Sequence, residues 1–205
     1  YHNNHLEGLF RVLREFSVEK IWVNGTQPEI SGYQTLKILA AQHRIPMVPI
    51  EFGEALDWGD ELGVRVFHPP PGQKKTSKEQ NASSIALLVR YGMVGAFFPG
   101  DLPAEDQSAL AKNFGKNLKF QIFKIPQQGA KAAFNKEFWA TRDPQGLSVL
   151  SVGKDNPYGY PEKAVWEWLE KVGKPVLRTD QNGNIEIHVG GKTSNDLSWR
   201  IDRSL

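Results

Sequence analysis

Apolar positions recur at helical spacing near the start of the chain. Leu6, Leu9, Phe10, Leu13 and Phe16 fall on one face, just after Asn4, a residue type suited to an N-cap. Ile21-Trp22-Val23 is a short strand-like run that closes on Asn24-Gly25. Residues 33–42 read as a second helix with Leu36, Ile38 and Leu39 as its apolar members. Residues 47–50 read as a strand, and Pro49, which donates no ladder hydrogen bond, assigns it to an edge. Leu62, Val64 and Val66 alternate with Gly63 and Arg65, so one face of that strand is buried. The run His68-Pro69-Pro70-Pro71 cannot continue the ladder.

Residues 72–80 form a polar loop carrying Lys74, Lys75 and Lys78, which reads as a solvated segment. Residues 84–91 and 95–98 read as a hairpin turning near Gly92. Pro103 opens a helix that runs to about Asn113. Strands follow at 120–125 and 147–152, with a short helix at 136–141 between them. Pro161 opens a helix with Val165, Trp168 and Leu169 on one face, and Gly173 ends it. Residues 176–178 and 185–189 flank Asn182-Gly183, which predicts a hairpin. Residues 190–205 have no clear period. Strands and helices alternate without an internal repeat or linker, which predicts one α/β domain over 1–205.

Composition adds exclusions. With 6 Trp, 5 Tyr and 11 Phe in 205 residues, a sizeable core is expected and disorder is not. The absence of cysteine removes disulfides, thiolate zinc sites and cysteine nucleophiles. No apolar run approaches the ~18 residues that span a bilayer, so this stretch is expected to be soluble. A net charge of +2 neither demands nor excludes nucleic acid. The chain opens on Tyr1 rather than Met and reads as a piece of something longer.

Four motifs in order carry a resemblance. They are His2-Asn3-Asn4-His5-Leu6-Glu7-Gly8-Leu9, Asn81-Ala82-Ser83-Ser84 with Phe98-Pro99-Gly100-Asp101, Lys124-Ile125-Pro126-Gln127-Gln128-Gly129-Ala130, and Ser151-Val152-Gly153-Lys154-Asp155-Asn156-Pro157-Tyr158-Gly159-Tyr160-Pro161. Arg178-Thr179-Asp180-Gln181-Asn182-Gly183 extends the match. Together they resemble the C-terminal extracytoplasmic domain of the ComEC competence proteins, a family with a metallo-β-lactamase fold. The resemblance implies an αββα sandwich, here without the strands that precede the first histidine motif. A second chain or another segment would then complete the sheet.

The resemblance also implies two divalent metals held by histidines and carboxylates with a bridging aspartate. By position, His2, His5 and Asp101 keep ligand residues. Asn4 stands where the family has aspartate, and Gln127 and Tyr160 stand where it has histidine. Neither metal site would reach the three protein ligands usual for catalytic zinc. Amide oxygens and a neutral phenol are poor replacements for zinc or manganese. No tightly bound cofactor is therefore expected, and manganese or zinc is the metal if one binds.

Bland readings stand beside these. His2 and His5 at a helix start can be a surface pair, and Asp101 can cap the helix at Pro103. Lys124, Lys131 and Lys154 fall near the cleft loops by the resemblance and could touch a phosphate backbone. His43, His68 and His188 lack ligand spacing and read as structural, and Trp58 reads as an exposed turn residue. Three functions follow. One is a non-hydrolytic domain that supports DNA uptake, another an active metal-dependent phosphodiesterase on DNA. The last is a structural module of a membrane channel. By resemblance the domain lies outside the cytoplasmic membrane, tethered to a channel domain of the same or a partner chain.

Overall fold

A computed structural model describes residues 1–59, 61–72, 81–141, 143 and 145–203. Lys74, Lys75 and Lys78 lie outside the described residues. The first helix, α1 (Asn3–Glu15), leads into β1 (Ile21–Val23), α2 (Ser31–Gln42) and β2 (Met47–Pro49). β1 and β2 pair in parallel as a two-stranded sheet, with Pro49 opposite Val23. The proline is thus at an edge, where its missing donor costs no ladder bond. Leu6 and Leu13 of α1 pack with Leu36 and Leu39 of α2 over Ile21 and Val23.

The larger sheet has seven strands in sequence order: β3 (Ala55–Asp57), β4 (Leu62–His68), β5 (Ala86–Tyr91), β6 (Val94–Phe98), β7 (Ile122–Lys124), β8 (Leu147–Leu150) and β9 (Val176–Arg178). Its first half, β3 to β6, is antiparallel, with short connections between β3 and β4 and between β5 and β6 and a longer one between β4 and β5. Its second half, β6 to β9, is parallel. Parallel neighbours need a crossover, supplied by α3 (Ala104–Phe114), α4 (Lys136–Ala140) and α5 (Lys163–Val172). These helices cover one sheet face with a core of Phe97, Phe120, Phe123, Phe138, Trp139 and Leu150. Each sheet therefore carries its own helical layer, as an αββα sandwich does, and the fold is mixed α/β with one large mixed sheet.

Gln107 and Asn135 set hydrogen-bonded amides inside this core. The amide of Gln107 on α3 donates to the Leu102 carbonyl at 2.7 Å and the Ala133 carbonyl at 2.8 Å. Its oxygen accepts from the Trp139 indole at 2.7 Å. Asn135 accepts from the Phe138 amide at 2.8 Å, capping α4, and donates to the Ala104 carbonyl at 2.7 Å.

The C-terminal elements differ from the sequence reading. Residues 176–178 and 185–189 do not form a hairpin with each other. β9 joins the large sheet beside β8, while β10 (Asn184–Val189) pairs with β11 (Leu197–Asp202). The Asn182-Gly183 signal is spent on a helical turn, α6 (Thr179–Asn182), in which the Asn182 side chain accepts from the Arg178 amide at 2.8 Å. β11 does carry a strand period that the sequence reading missed: Leu197, Trp199 and Ile201 alternate with Ser198, Arg200 and Asp202 and pair with Val189, Ile187 and Ile185 of β10.

Candidate functional site

Strand direction places the site. Because β6 to β9 are parallel, the loops leaving their C-terminal ends open at one sheet edge, the usual position of a cleft on such a scaffold. Asp101 follows β6, Gln127 and Gln128 follow β7, Ser151, Val152, Gly153 and Asn156 follow β8, and Thr179 follows β9. With Tyr1, His2, Tyr158 and Tyr160 they line a cleft of ≈ 930 Å³. A smaller lobe of ≈ 300 Å³ shares Tyr1, His2 and Asp101 and adds His5, Trp22, Asn24 and Ser84.

Local chemistry fixes these loops. Thr179 accepts from the Val152 amide at 2.8 Å and donates to the Val152 carbonyl at 2.7 Å, tying β9's end to β8's. Arg178 grips Asp180 through two bonds of 3.0 and 2.6 Å, its guanidinium 4.6 Å from the Trp166 ring centroid. Asn24 donates to the Ser83 carbonyl at 2.8 Å and accepts from the Tyr1 hydroxyl at 2.9 Å, linking the small sheet to the cleft wall.

Beyond β7 the backbone is unusual. Gln127, Gln128 and Gly129 follow one another at φ 45°, 50° and 86°. Glutamine pays a steric penalty there that glycine does not, and such residues collect at sites whose surroundings hold them in place. The hold here is visible. The Gly129 carbonyl accepts from the Glu162 amide at 3.1 Å, and the Glu162 carboxylate accepts from the Lys131 amide at 2.7 Å.

The structure brings His5 and Asp101 into direct contact, with Nε2 and Oδ2 2.9 Å apart. Asp101 is buried and does not cap α3, which has no side-chain cap. Burial works to raise the Asp101 pKa, but the His5 hydrogen bond and the charges of His5, Lys124 and His2 outweigh it. The group therefore sits below its ordinary value. His2 lines the cleft, and burial pulls its pKa down. Burial also pushes the Tyr1 phenol up to about 12. Asn4 lies in the first turn of α1.

The lysines part company. Lys124 lies behind Asp101, its ammonium donating to the Ile125 carbonyl at 2.9 Å, and burial presses its pKa down to about 8 against the pull of Asp101. Lys131 and Lys154 are exposed on loops beside the cleft, and neither lines it. His68 is buried, its Nδ1 2.8 Å from the Ser84 carbonyl, and it lines neither lobe. Trp58 is half exposed, as its turn position suggested.

A metal centre needs converging donors. Among the described residues no group of three or more His, Cys, Asp or Glu is placed to hold an ion. One Asp101 oxygen faces the His5 ring. The residues present do not fit a two-metal centre. Sequence reasoning passed over Tyr158 and Thr179 as site residues, although both lie inside the quoted motifs.

No family model matches the chain. It is 30% identical over 135 residues to ComE operon protein 3 of Bacillus subtilis, covering 65% of this chain and 17% of that protein. The chain is a homologue of the ComEC competence proteins. It is also 28% identical over 120 residues to competence protein ComA of Neisseria gonorrhoeae, covering 58% of this chain and 17% of the relative. Recombination protein 2 of Haemophilus influenzae matches at 22% over 112 residues, 55% of this chain and 14% of the relative. The matches to these relatives thus span less than a fifth of the relatives' length. A provisionally assigned metal-dependent hydrolase from Parabacteroides distasonis superposes with a TM-score of 0.45 at 10% identity, over 82% of this chain and 79% of that one. Among the described residues no helix is long and apolar enough to cross a membrane.

Proposed function

We propose that this domain serves DNA uptake outside the cytoplasmic membrane, attached to a membrane channel, and holds DNA at its cleft without hydrolysing it. The observation that carries the reading is the direct 2.9 Å contact of His5 with Asp101. A carboxylate that bridged two metals would give its oxygens to cations, and one of these is committed to an imidazole. Gln127 and Tyr160 supply neutral groups where the resemblance implies histidine, and such groups bind zinc and manganese weakly. Without a tightly held metal no bound water has its pKa lowered, and hydrolysis loses its nucleophile. The competence relatives supply the DNA context.

What remains is a polar cleft flanked by the exposed ammonium groups of Lys131 and Lys154. Contacts from these to a phosphate backbone would release counterions on binding, so affinity would fall with salt. Titration of labelled DNA by fluorescence anisotropy tests this. Two neutralised phosphates predict about a tenfold loss of affinity for a fourfold rise in salt, and replacing Lys131 and Lys154 by alanine flattens that dependence. Absence of binding at low salt, or metal-dependent cleavage of the DNA, would overturn the reading.

A further inference from the structure

The β10–β11 hairpin is a sheet of its own, and its strands pair from Asn184 with Asp202 to Val189 with Leu197 without a register shift. Among the described residues β11 joins no ladder on its outer side. Edge strands are often closed off by a proline or a bulge, and β11 has neither. Leu197, Trp199 and Ile201 share one face with Val189, Ile187 and Ile185 opposite them. On that face Trp199 is 43% exposed and Ile201 39%. Two strands alone are marginal in water, whereas three or more with an apolar face are stable.

Charge says what fits this edge. A strand that meets a second copy of itself about a two-fold axis runs antiparallel to it, and residues directly opposite share a face. Registers that keep apolar opposite apolar place one residue on the axis. With Arg200 or Asp202 there, like charges meet, which is unfavourable. With Leu197 or Ser198 there, Ile201 runs against the turn that precedes β11. With Trp199 there, Arg200 faces a neutral Ser198 and Asp202 faces Asp196. With Ile201 there, the two isoleucines meet and Arg200 faces Asp202 on both sides of the axis. The Arg200 Nε donates to Glu186 at 2.6 Å, and the guanidinium has further N–H groups for Asp202 of the second copy.

We propose that β11 is an interface for a second copy of this chain, the two strands pairing edge to edge about Ile201. The two hairpins then form one four-stranded antiparallel sheet. The Arg200–Asp202 pair is made twice, and the apolar faces of both hairpins become continuous across the axis. No β11 residue lines either lobe of the cleft, so this surface is separate from the site described above.

Sedimentation velocity of the whole chain between about 1 and 100 micromolar is the test. The parent is expected to move from the mass of one chain to that of two across this range. Ile201→Lys, which brings two ammonium groups to the axis, should weaken the dimer about tenfold or more. Asp202→Arg, which sets arginine opposite Arg200, should act in the same direction. Far-ultraviolet circular dichroism of each variant checks the fold. A crosslink reads the register. The chain has no cysteine, so Ile201→Cys supplies each copy with a single thiol at the axis. Directly opposite Cβ atoms lie about 4.5 to 5.5 Å apart, near enough for a disulfide to form on oxidation with diamide. Trp199→Cys sets its two thiols about 13 Å or more apart and should not crosslink. A parent that stays monomeric at about 100 micromolar would overturn the proposal. So would a dimer that Ile201→Lys leaves intact, or a crosslink through residue 199 in place of 201.

Discussion

Gln107→Leu is expected to destabilise the domain by about 3 to 5 kcal/mol with its elements otherwise in place. The replacement is close in volume and more apolar, so a reading from hydrophobicity alone would expect a gain. The network reverses that. The Trp139 indole N–H loses its acceptor, and the Leu102 and Ala133 carbonyls lose their donor, in a core where Gln107 and Trp139 have no measurable exposure. Each buried polar group left without a partner costs about 1 to 3 kcal/mol, and apolar transfer recovers part of the sum. Urea unfolding followed by tryptophan fluorescence measures the loss. A variant as stable as the parent would mean that water or a shifted carbonyl replaces the amide.

Gly129→Val is expected to cost about 3 kcal/mol and to disrupt the cleft as well as the core. The position combines φ 86° with a crowded surrounding, in which a Cβ would lie 2.6 Å from Pro161 Cβ and 3.1 Å from Leu150 Cδ2. A branched side chain would force the loop after β7 away from the loop after β8. These two loops carry Gln127 and Tyr160, so cleft geometry and stability fall together. Thermal unfolding paired with DNA binding measures both effects on the same variant. Unchanged binding in folded Gly129→Val protein would show that this loop does not shape the site.

The core elements were legible because burial writes itself into sequence. β4, with Val64 and Val66 inside and Arg65 outside, shows its strand period directly. α5 carries Val165 and Leu169 four apart on its buried face. Short strands carry little period, and β3 has only three residues beside β4. In β11 the period was present although the strand is largely exposed: Leu197, Trp199 and Ile201 alternate with polar residues and face the apolar residues of β10, a pattern passed over in residues 190–205. Asn182-Gly183 favoured a tight turn correctly but could not say that the turn would be helical, since the choice depends on where β9 finds its partner.

The site was legible only in part, for a different reason. His2, Asp101, Gln127 and Tyr160 come from segments far apart in sequence and meet because the parallel strands deliver their loops to one edge. The motifs named these residues. They could not show that the nearest neighbour of the Asp101 carboxylate would be the His5 ring, or that Lys124 would turn its ammonium to a backbone carbonyl. Nor could they show that the Tyr158 and Tyr160 rings stack, since two tyrosines two apart in a loop can face any direction until Asn156 fixes the turn between them.

The most direct test of the account is the metal content of the purified protein, measured by mass spectrometry after incubation with manganese and zinc and then desalting. A cleft whose Asp101 carboxylate is engaged by His5 predicts less than about a tenth of an equivalent per chain. Retention of about two equivalents per chain would contradict it, because the site would then hold the metals that a hydrolase needs.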